Sequence, residues 1–78
     1  MGGAIVYVSV FAKFDKDGNV TPMWLEWVDG TIYEVDRIVD KKVQKKHSLH
    51  EKVSYLVQIG RKTARLSYED ERWFVNPR

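Results

Sequence analysis

Apolar and polar residues alternate in short segments along most of the chain, and this alternation predicts an all-β protein. In residues 53–59 every second side chain is apolar, and residues 64–68 repeat the pattern. A period of two residues is typical of strands with one buried face. Glycine, aspartate and asparagine between the segments indicate tight turns. We predict a six-stranded antiparallel meander that forms a bent sheet or an SH3-like or OB-like barrel.

The first predicted strand runs over residues 4–14 and is apolar on both phases for most of its length. This pattern predicts a strand that is covered on both sides. The sequence Asp-Lys-Asp-Gly-Asn at residues 15–19 then reverses the chain, and residues 20–27 return as the second strand. Pro22 has no backbone donor, so we expect it at an edge or a β-bulge.

The clearest local signal is the sequence Trp-Val-Asp-Gly-Thr at residues 27–31. A three-residue loop with Gly30 at positive φ gives a bulged hairpin, which pairs Leu25 with Tyr33. A two-residue loop would set Leu25 opposite Glu34, and burial favours the first register because a one-residue slip turns the strand inside out. The favoured register places these side chains on one face: Met23, Leu25, Trp27, Tyr33 and Val35.

Residues 68–72 repeat the order aromatic, any residue, aspartate and turn residue that is found at residues 27–31. Glu71 occupies the place of Gly30. If the two geometries match, Glu71 has a positive φ at a cost of about 1–2 kcal/mol. The replacement Glu71→Gly should then raise the melting temperature.

Residues 40–52 show no strand alternation, and we predict an irregular segment there. It is either a short helix that shows Val43 and Leu49 on one side or a mobile loop. The third strand should end near Val39, and the last three strands are predicted at residues 53–59, 64–68 and 72–75. The pattern supports local pairing of strands one to three and four to six, and it leaves strand order and barrel closure open.

The composition indicates one small folded domain over residues 1–78. Hydrophobic residues make up 44% of the chain and aromatic residues 13%, which is enough for a packed interior. The absence of cysteine excludes a disulfide framework and a thiolate zinc site, and it favours a reducing cytoplasm. There is no apolar run near the roughly 20 residues that span a bilayer, and the start lacks a signal-peptide pattern. We expect a cytoplasmic protein.

Charge is strongly segregated beneath a net value of +2: residues 1–36 sum to −4 and residues 37–65 to +7. A basic cluster on a small β domain makes salt-dependent contacts to phosphates. Solvated loops and edge strands protected from aggregation are also rich in lysine. The predicted nucleic-acid-binding residues are Arg37, Lys41, Lys42, Lys45, Lys46, Arg61, Lys62 and Arg65. Aromatic side chains outside the core, among Tyr7, Phe11, Trp24 and Phe74, would stack on unpaired bases.

A second set of apolar residues does not fit the predicted core, and it suggests an interface. The predicted interface residues are Tyr7, Phe11, Trp24 and Leu56, and Ile5 belongs to the same set. Either residues 40–52 or another subunit should cover them. The alternative function is therefore a protein-interaction or structural module that forms a homodimer through an apolar sheet face.

No motif in the chain specifies a reaction. Residues 15–26 imitate the ligand spacing of a calcium loop, but Val20 replaces the glycine that the loop requires. His47 and His50 are half a metal site at best, and no nucleophile turn surrounds Ser48. Glycine-rich phosphate loops and dinucleotide fingerprints are absent. We predict a protein that is not an enzyme and binds no cofactor, metal or small-molecule substrate.

Five motifs are spread along the chain: Phe-Asp-Lys-Asp-Gly at 14–18, Trp-Val-Asp-Gly at 27–30, Tyr-Glu-Val-Asp-Arg at 33–37, Ile-Gly-Arg at 59–61 and Tyr-Glu-Asp-Glu-Arg-Trp-Phe-Val at 68–75. Together they resemble a group of small all-β proteins of Gram-positive bacteria that have no assigned activity. The resemblance breaks down over residues 41–53. It implies a free-standing bacterial protein and carries no site residues.

Overall fold

The computed structural model describes residues 5–46 and 50–76, which form one antiparallel sheet of seven strands. The strands are β1 (Val6–Phe14), β2 (Val20–Glu26), β3 (Ile32–Glu34), β4 (Arg37–Lys46), β5 (His50–Ile59), β6 (Lys62–Glu69) and β7 (Arg72–Val75). Their order in space is β3-β2-β1-β7-β6-β5-β4, and the sheet curls into a half-barrel. The predicted all-β class is confirmed, with one strand more than expected. None of the described residues forms a helix that is long and apolar enough to span a bilayer.

Strand β1 connects the two halves of the sheet. Residues 6–8 pair with β7, whereas residues 9–14 pair with β2. The two groups predicted from local pairing are both present, as β1-β2-β3 and β5-β6-β7. The pairing of β1 with β7 joins distant parts of the chain and completes the continuous sheet.

The chain crosses from one edge of the sheet to the other between β3 and β4. These are the two edge strands, yet only Val35 and Asp36 separate them. The Val35 N–H donates to the Met23 carbonyl of β2 at 3.0 Å, and the Asp36 N–H donates to the Gln58 carbonyl of β5 at 2.8 Å. The Asp36 Oδ2 atom also accepts the Gly60 N–H at 2.6 Å. The two edges therefore meet at this corner.

We call the face that carries the core the inner face and the opposite one the outer face. The buried core residues are Leu25, Tyr55, Val57, Leu66, Trp73 and Val75. The Tyr55 hydroxyl donates to the Val20 carbonyl at 2.6 Å, so it ties β5 to a strand that is not its neighbour. Burial raises the pKa of this hydroxyl, and the nearby Tyr68 adds a smaller effect in the same direction.

The β2–β3 hairpin has the predicted geometry. Gly30 has a φ of +90°, the Trp27 N–H donates to the Thr31 carbonyl at 2.8 Å, and Leu25 pairs with Tyr33. Leu25 is buried, as predicted, whereas Tyr33 is 40% exposed. Tyr33 shares the inner face with Leu25, as the register predicted, and its exposure reflects its position on an edge strand at the open end of the half-barrel.

A β-bulge interrupts the pairing of β1 with β2. Phe11 pairs with Trp24 but Ala12 pairs with Pro22, which leaves Met23 as the extra residue. Pro22 therefore lies beside a bulge, as predicted. Met23 is exposed, so its predicted place on the buried face is wrong, because a bulge shifts the alternation of side chains by one residue.

The β1–β2 turn repeats the geometry of the β2–β3 turn. The Asp15 N–H donates to the Asn19 carbonyl at 3.0 Å, the Gly18 N–H donates to the Asp15 carbonyl at 3.1 Å, and Gly18 has a φ of +87°. The Asp15 Oδ1 atom also accepts the N–H groups of Asn19 and Asp17 at 2.9 Å each. These bonds, chiefly the one from Asn19, lower the pKa of Asp15.

The β6–β7 turn differs from both. Glu69 pairs with Arg72, so the loop contains only Asp70 and Glu71, with φ values of 54° and 64°. Two successive positive φ values are those of a type I′ hairpin turn. The positive φ of Glu71 is confirmed, but the two turns do not have the matched geometry on which that expectation was conditional, because this loop has two residues.

The prediction of a short helix or mobile loop over residues 40–52 is wrong for the described residues. Residues 40–46 belong to β4 and residues 50–52 to β5, while Ser48 and Leu49 lie outside the described residues. Two features conceal the strand periodicity. A bulge between Ile38 and Asp40 shifts the phase, and an edge strand meets solvent on both faces, so polar residues suit either phase.

Candidate functional site

Aromatic and basic side chains meet on the outer face of the sheet. Directly opposed residues of antiparallel strands share a face, so the strand register assigns each side chain to one side. One row on the outer face crosses five strands and contains Tyr7, Phe74, Ser67, Ser54 and Lys42. This row is the centre of the candidate site.

Two cations lie on the aromatic rings of this row. The Arg72 guanidinium carbon is 3.8 Å from the centre of the Tyr7 ring, and the Lys52 ammonium is 5.6 Å from the centre of the Phe74 ring. The Tyr7 and Phe74 rings pack edge to face at 5.8 Å. Phe74 is buried, whereas Tyr7 remains 46% exposed. The aromatic rings therefore hold both cations at the surface.

Two buried hydroxyl groups in the same row are accounted for by packing. The Oγ atoms of Ser54 and Ser67 are 3.3 Å apart, within hydrogen-bond distance. Burial of polar groups is tolerated when they are hydrogen-bonded to each other. Because each hydroxyl faces another hydroxyl rather than a base, this pair has the features of a structural contact.

The structure divides the predicted nucleic-acid-binding residues between the two faces. On the outer face lie Arg37, Lys42 and Arg65, opposite Gln58, Ser54 and Leu56. On the inner face lie Lys41, Lys45 and Lys62, opposite Tyr55, Glu51 and Ile59. Arg61 lies in the β5–β6 turn, and the side chain of Lys46 is outside the described part. The eight residues are not all brought together.

Two further cations join the outer-face group, and we name the resulting set the basic strip: Arg37, Lys42, Lys52, Arg65 and Arg72. Sequence reasoning did not assign Lys52 and Arg72 to the site. The alternation of β5 was an available signal for Lys52, because it shares the phase of Ser54 and Leu56. Two carboxylates on the same face, Asp40 and Glu69, partly offset the positive charge.

A second feature of the outer face is an apolar patch made of Phe11, Trp24 and Ile32. These side chains come from three adjacent strands, line a shallow depression and are 54%, 42% and 53% exposed. The register places Glu34 opposite Trp24 and Glu26 opposite Ile32. Sequence reasoning missed Ile32, although the predicted hairpin register already set it beside this group.

The predicted interface residues are only partly brought together. Phe11 and Trp24 are direct cross-strand partners, and Tyr7 lies on the same face of β1. Leu56 is partly buried on β5 between Asp40 and Arg65, with β6 and β7 between it and β1. The prediction that β1 is covered on both sides is wrong for its outer face, where Tyr7 and Phe11 are exposed. The described part of residues 40–52 extends the sheet edge and does not cover this set.

Within residues 5–46 and 50–76, there is no group of three or more His, Cys, Asp or Glu side chains that could hold a metal ion. His47 and the side chain of His50 lie outside that part. The remaining features define a small β half-barrel with an exposed aromatic and basic outer face. No known family model, curated protein or solved structure matches this chain.

Proposed function

We propose that the protein is a non-enzymatic binding module that holds single-stranded nucleic acid on the outer face of its sheet. The observation that carries this proposal is the stacking of Arg72 on the exposed Tyr7 ring beside the other cations of the basic strip. Cations track the phosphates, and exposed aromatic faces stack on unpaired bases. The open outer face of a sheet suits a single strand because the unpaired bases are free to spread over it.

The electrostatics of the outer face favour a binding path for the nucleic-acid strand over β4 to β7 and the adjoining part of β1. The basic strip contains five cations, and the same strands contribute the carboxylates Asp40 and Glu69 to that face. The side of the sheet around Trp24 carries Glu26 and Glu34 instead, which would repel phosphates. Tyr7 is thus the better stacking platform, and Trp24 is less suitable than the sequence suggested.

Two triple variants test this assignment with the net charge matched. Lys42→Gln/Lys52→Gln/Arg65→Gln removes three cations from the outer face, whereas Lys41→Gln/Lys45→Gln/Lys62→Gln removes three from the inner face. Binding of a fluorescent oligothymidylate is measured over a range of salt concentrations. The outer-face variant should lose about tenfold or more in affinity and lower the salt slope by about 2, since each single-strand phosphate contact contributes about 0.7.

The inner-face variant should bind almost as well as the wild type. Equal losses in both variants would show a response to net charge alone and would contradict a defined site. The proposal fails altogether if the wild type does not bind the oligonucleotide at low salt. Tyr7→Ala removes the aromatic ring and should weaken oligonucleotide binding by about 1–3 kcal/mol if a base stacks there. The loss of affinity for a duplex should be smaller, because its bases are paired.

A second candidate function, self-association, is favoured by the apolar patch. Phe11, Trp24 and Ile32 are about half exposed on three adjacent strands, and the flanking Glu26 and Glu34 complement the basic strip of a second copy. A homodimer that places the patch against the same face of its partner would cover these side chains.

Analytical ultracentrifugation tests this second function. The wild type should sediment as a dimer at micromolar to submillimolar concentration, and Trp24→Ser should sediment as a monomer. Val43→Ser is the control, since Val43 is an exposed apolar residue on the inner face of β4, opposite Val53 and outside the patch, and it should leave the dimer intact. A wild-type protein that stays monomeric at the highest concentration would rule out the dimer.

A further inference from the structure

A cleft opens on the inner face, at the end of the half-barrel where the β2–β3 and β5–β6 turns lie. Its volume is about 580 Å³, within the range of about 300–1,000 Å³ that is typical of small-molecule sites. The buried side chains of Leu25 and Val75 line it, together with Trp27, Tyr33 and Ile59. An apolar ligand in this cleft would therefore contact the exposed part of the protein core.

Two basic residues border the cleft. Arg61 lies in the β5–β6 turn, and Lys62 begins β6 on the inner face, opposite Ile59. An acidic group in the adjoining corner, Asp36, already accepts a hydrogen bond from the Gly60 N–H. Exposed cations beside an apolar cavity complement a ligand that has an apolar body and one anionic group.

We propose that this cleft binds a small amphipathic anion, an alkyl or aryl carboxylate. The apolar part of the ligand lies against Leu25, Trp27 and Val75, and its carboxylate lies at Arg61 and Lys62. This proposal differs from the expectation that the protein binds no small molecule. It uses neither the basic strip nor the apolar patch, so it stands or falls separately from nucleic-acid binding and self-association.

Octanoate and octan-1-ol form a matched pair of probes, because they have the same chain length and differ in charge. The indole N–H signals of Trp27 and Trp24 in NMR spectra report on the cleft and on the outer face respectively. Octanoate should shift the Trp27 signal with a dissociation constant below about 1 mM and leave the Trp24 signal in place. Octan-1-ol should bind more weakly, since it lacks the carboxylate.

Charge-neutralising variants complete the test. Arg61→Gln/Lys62→Gln should weaken octanoate binding by about fivefold or more, because each exposed charge pair contributes up to about a fivefold effect, and should leave octan-1-ol binding unchanged. Lys42→Gln/Arg65→Gln removes the same charge from the outer face and should change neither. The proposal is overturned if Trp27 does not respond to millimolar octanoate, if Trp24 responds in its place, or if both double variants lose affinity equally.

Discussion

At the scale of single residues, Glu71 has a backbone conformation that glycine adopts without steric cost. Its φ of 64° follows Asp70 at 54°, and Asp-Gly is a preferred pair in type I′ turns. We expect Glu71→Gly to stabilise the protein by about 1 kcal/mol and to raise the melting temperature by about 4–8 °C, as measured by circular dichroism.

The matched control for this change is Glu51→Gly. Glu51 is exposed on β5 without a positive φ, so glycine there adds only unfolded-state freedom and should destabilise by about 1 kcal/mol. A gain of stability for Glu71→Gly together with a loss for Glu51→Gly would identify backbone strain at Glu71 as the cause of the gain. A Glu71→Gly protein that melts at or below the wild-type temperature would contradict it.

The contribution of Tyr55 to the free energy of unfolding decreases at alkaline pH. Its pKa is raised above 10.0 in the folded state by burial, so folding opposes ionisation. The stabilisation is complete below the pKa of the unfolded chain and is lost as the pH rises through the higher folded pKa. Tyr55→Phe should therefore cost about 1 kcal/mol at neutral pH, through loss of the bond to the Val20 carbonyl.

Urea unfolding at pH 7 and at about pH 10.5 measures both parts of this prediction, because the difference between wild type and Tyr55→Phe should narrow at the higher pH. Tyr33→Phe is the control, since Tyr33 is substantially exposed and its replacement should have little effect at either pH. A difference for Tyr55→Phe that is the same at both pH values would refute the role of the buried hydroxyl.

At the scale of elements, the corner between β3 and β4 depends on the Asp36 carboxylate. Asp36→Ala removes the acceptor of the Gly60 N–H and should lower the free energy of unfolding by about 1 kcal/mol. Asp36→Asn keeps an oxygen acceptor and should cost about half as much. Urea unfolding and hydrogen exchange of the Gly60 amide measure the effect, and equal costs for the two variants would show that the bond is unimportant.

Turn residues and burial explain why the β2–β3 hairpin was predictable while the β4–β5 hairpin was not. Gly30 fixed the loop, and Leu25 then fixed the register. In β4 the polar residues occupy both phases, because this edge strand meets solvent on each side, and the bulge between Ile38 and Asp40 shifts the phase. Local sequence patterns are informative only where one face is buried.

At the scale of the whole molecule, the pairing of β1 with β7 could not be predicted from local patterns, because it joins the two ends of the described chain. The candidate site inherits this limit. The basic residues formed one block in sequence, but strand alternation sent Lys42 and Lys41 to opposite faces. The contact of Arg72 with Tyr7 depends on the pairing of β1 with β7. This contact could therefore not be predicted before the strand order was known.

The connection of only two residues, Val35 and Asp36, sets the width of the half-barrel at its corner. The path from Glu34 to Arg37 makes three Cα–Cα steps and reaches about 11 Å at most, so this short connection keeps the two edge strands close together. The cleft lined by Tyr33 and Gly60 lies beside this connection. The width of its opening should therefore be nearly constant. Lengthening the β3–β4 connection by several glycines should flatten the sheet and widen the opening of the cleft. The cleft should then discriminate less between ligands of different size.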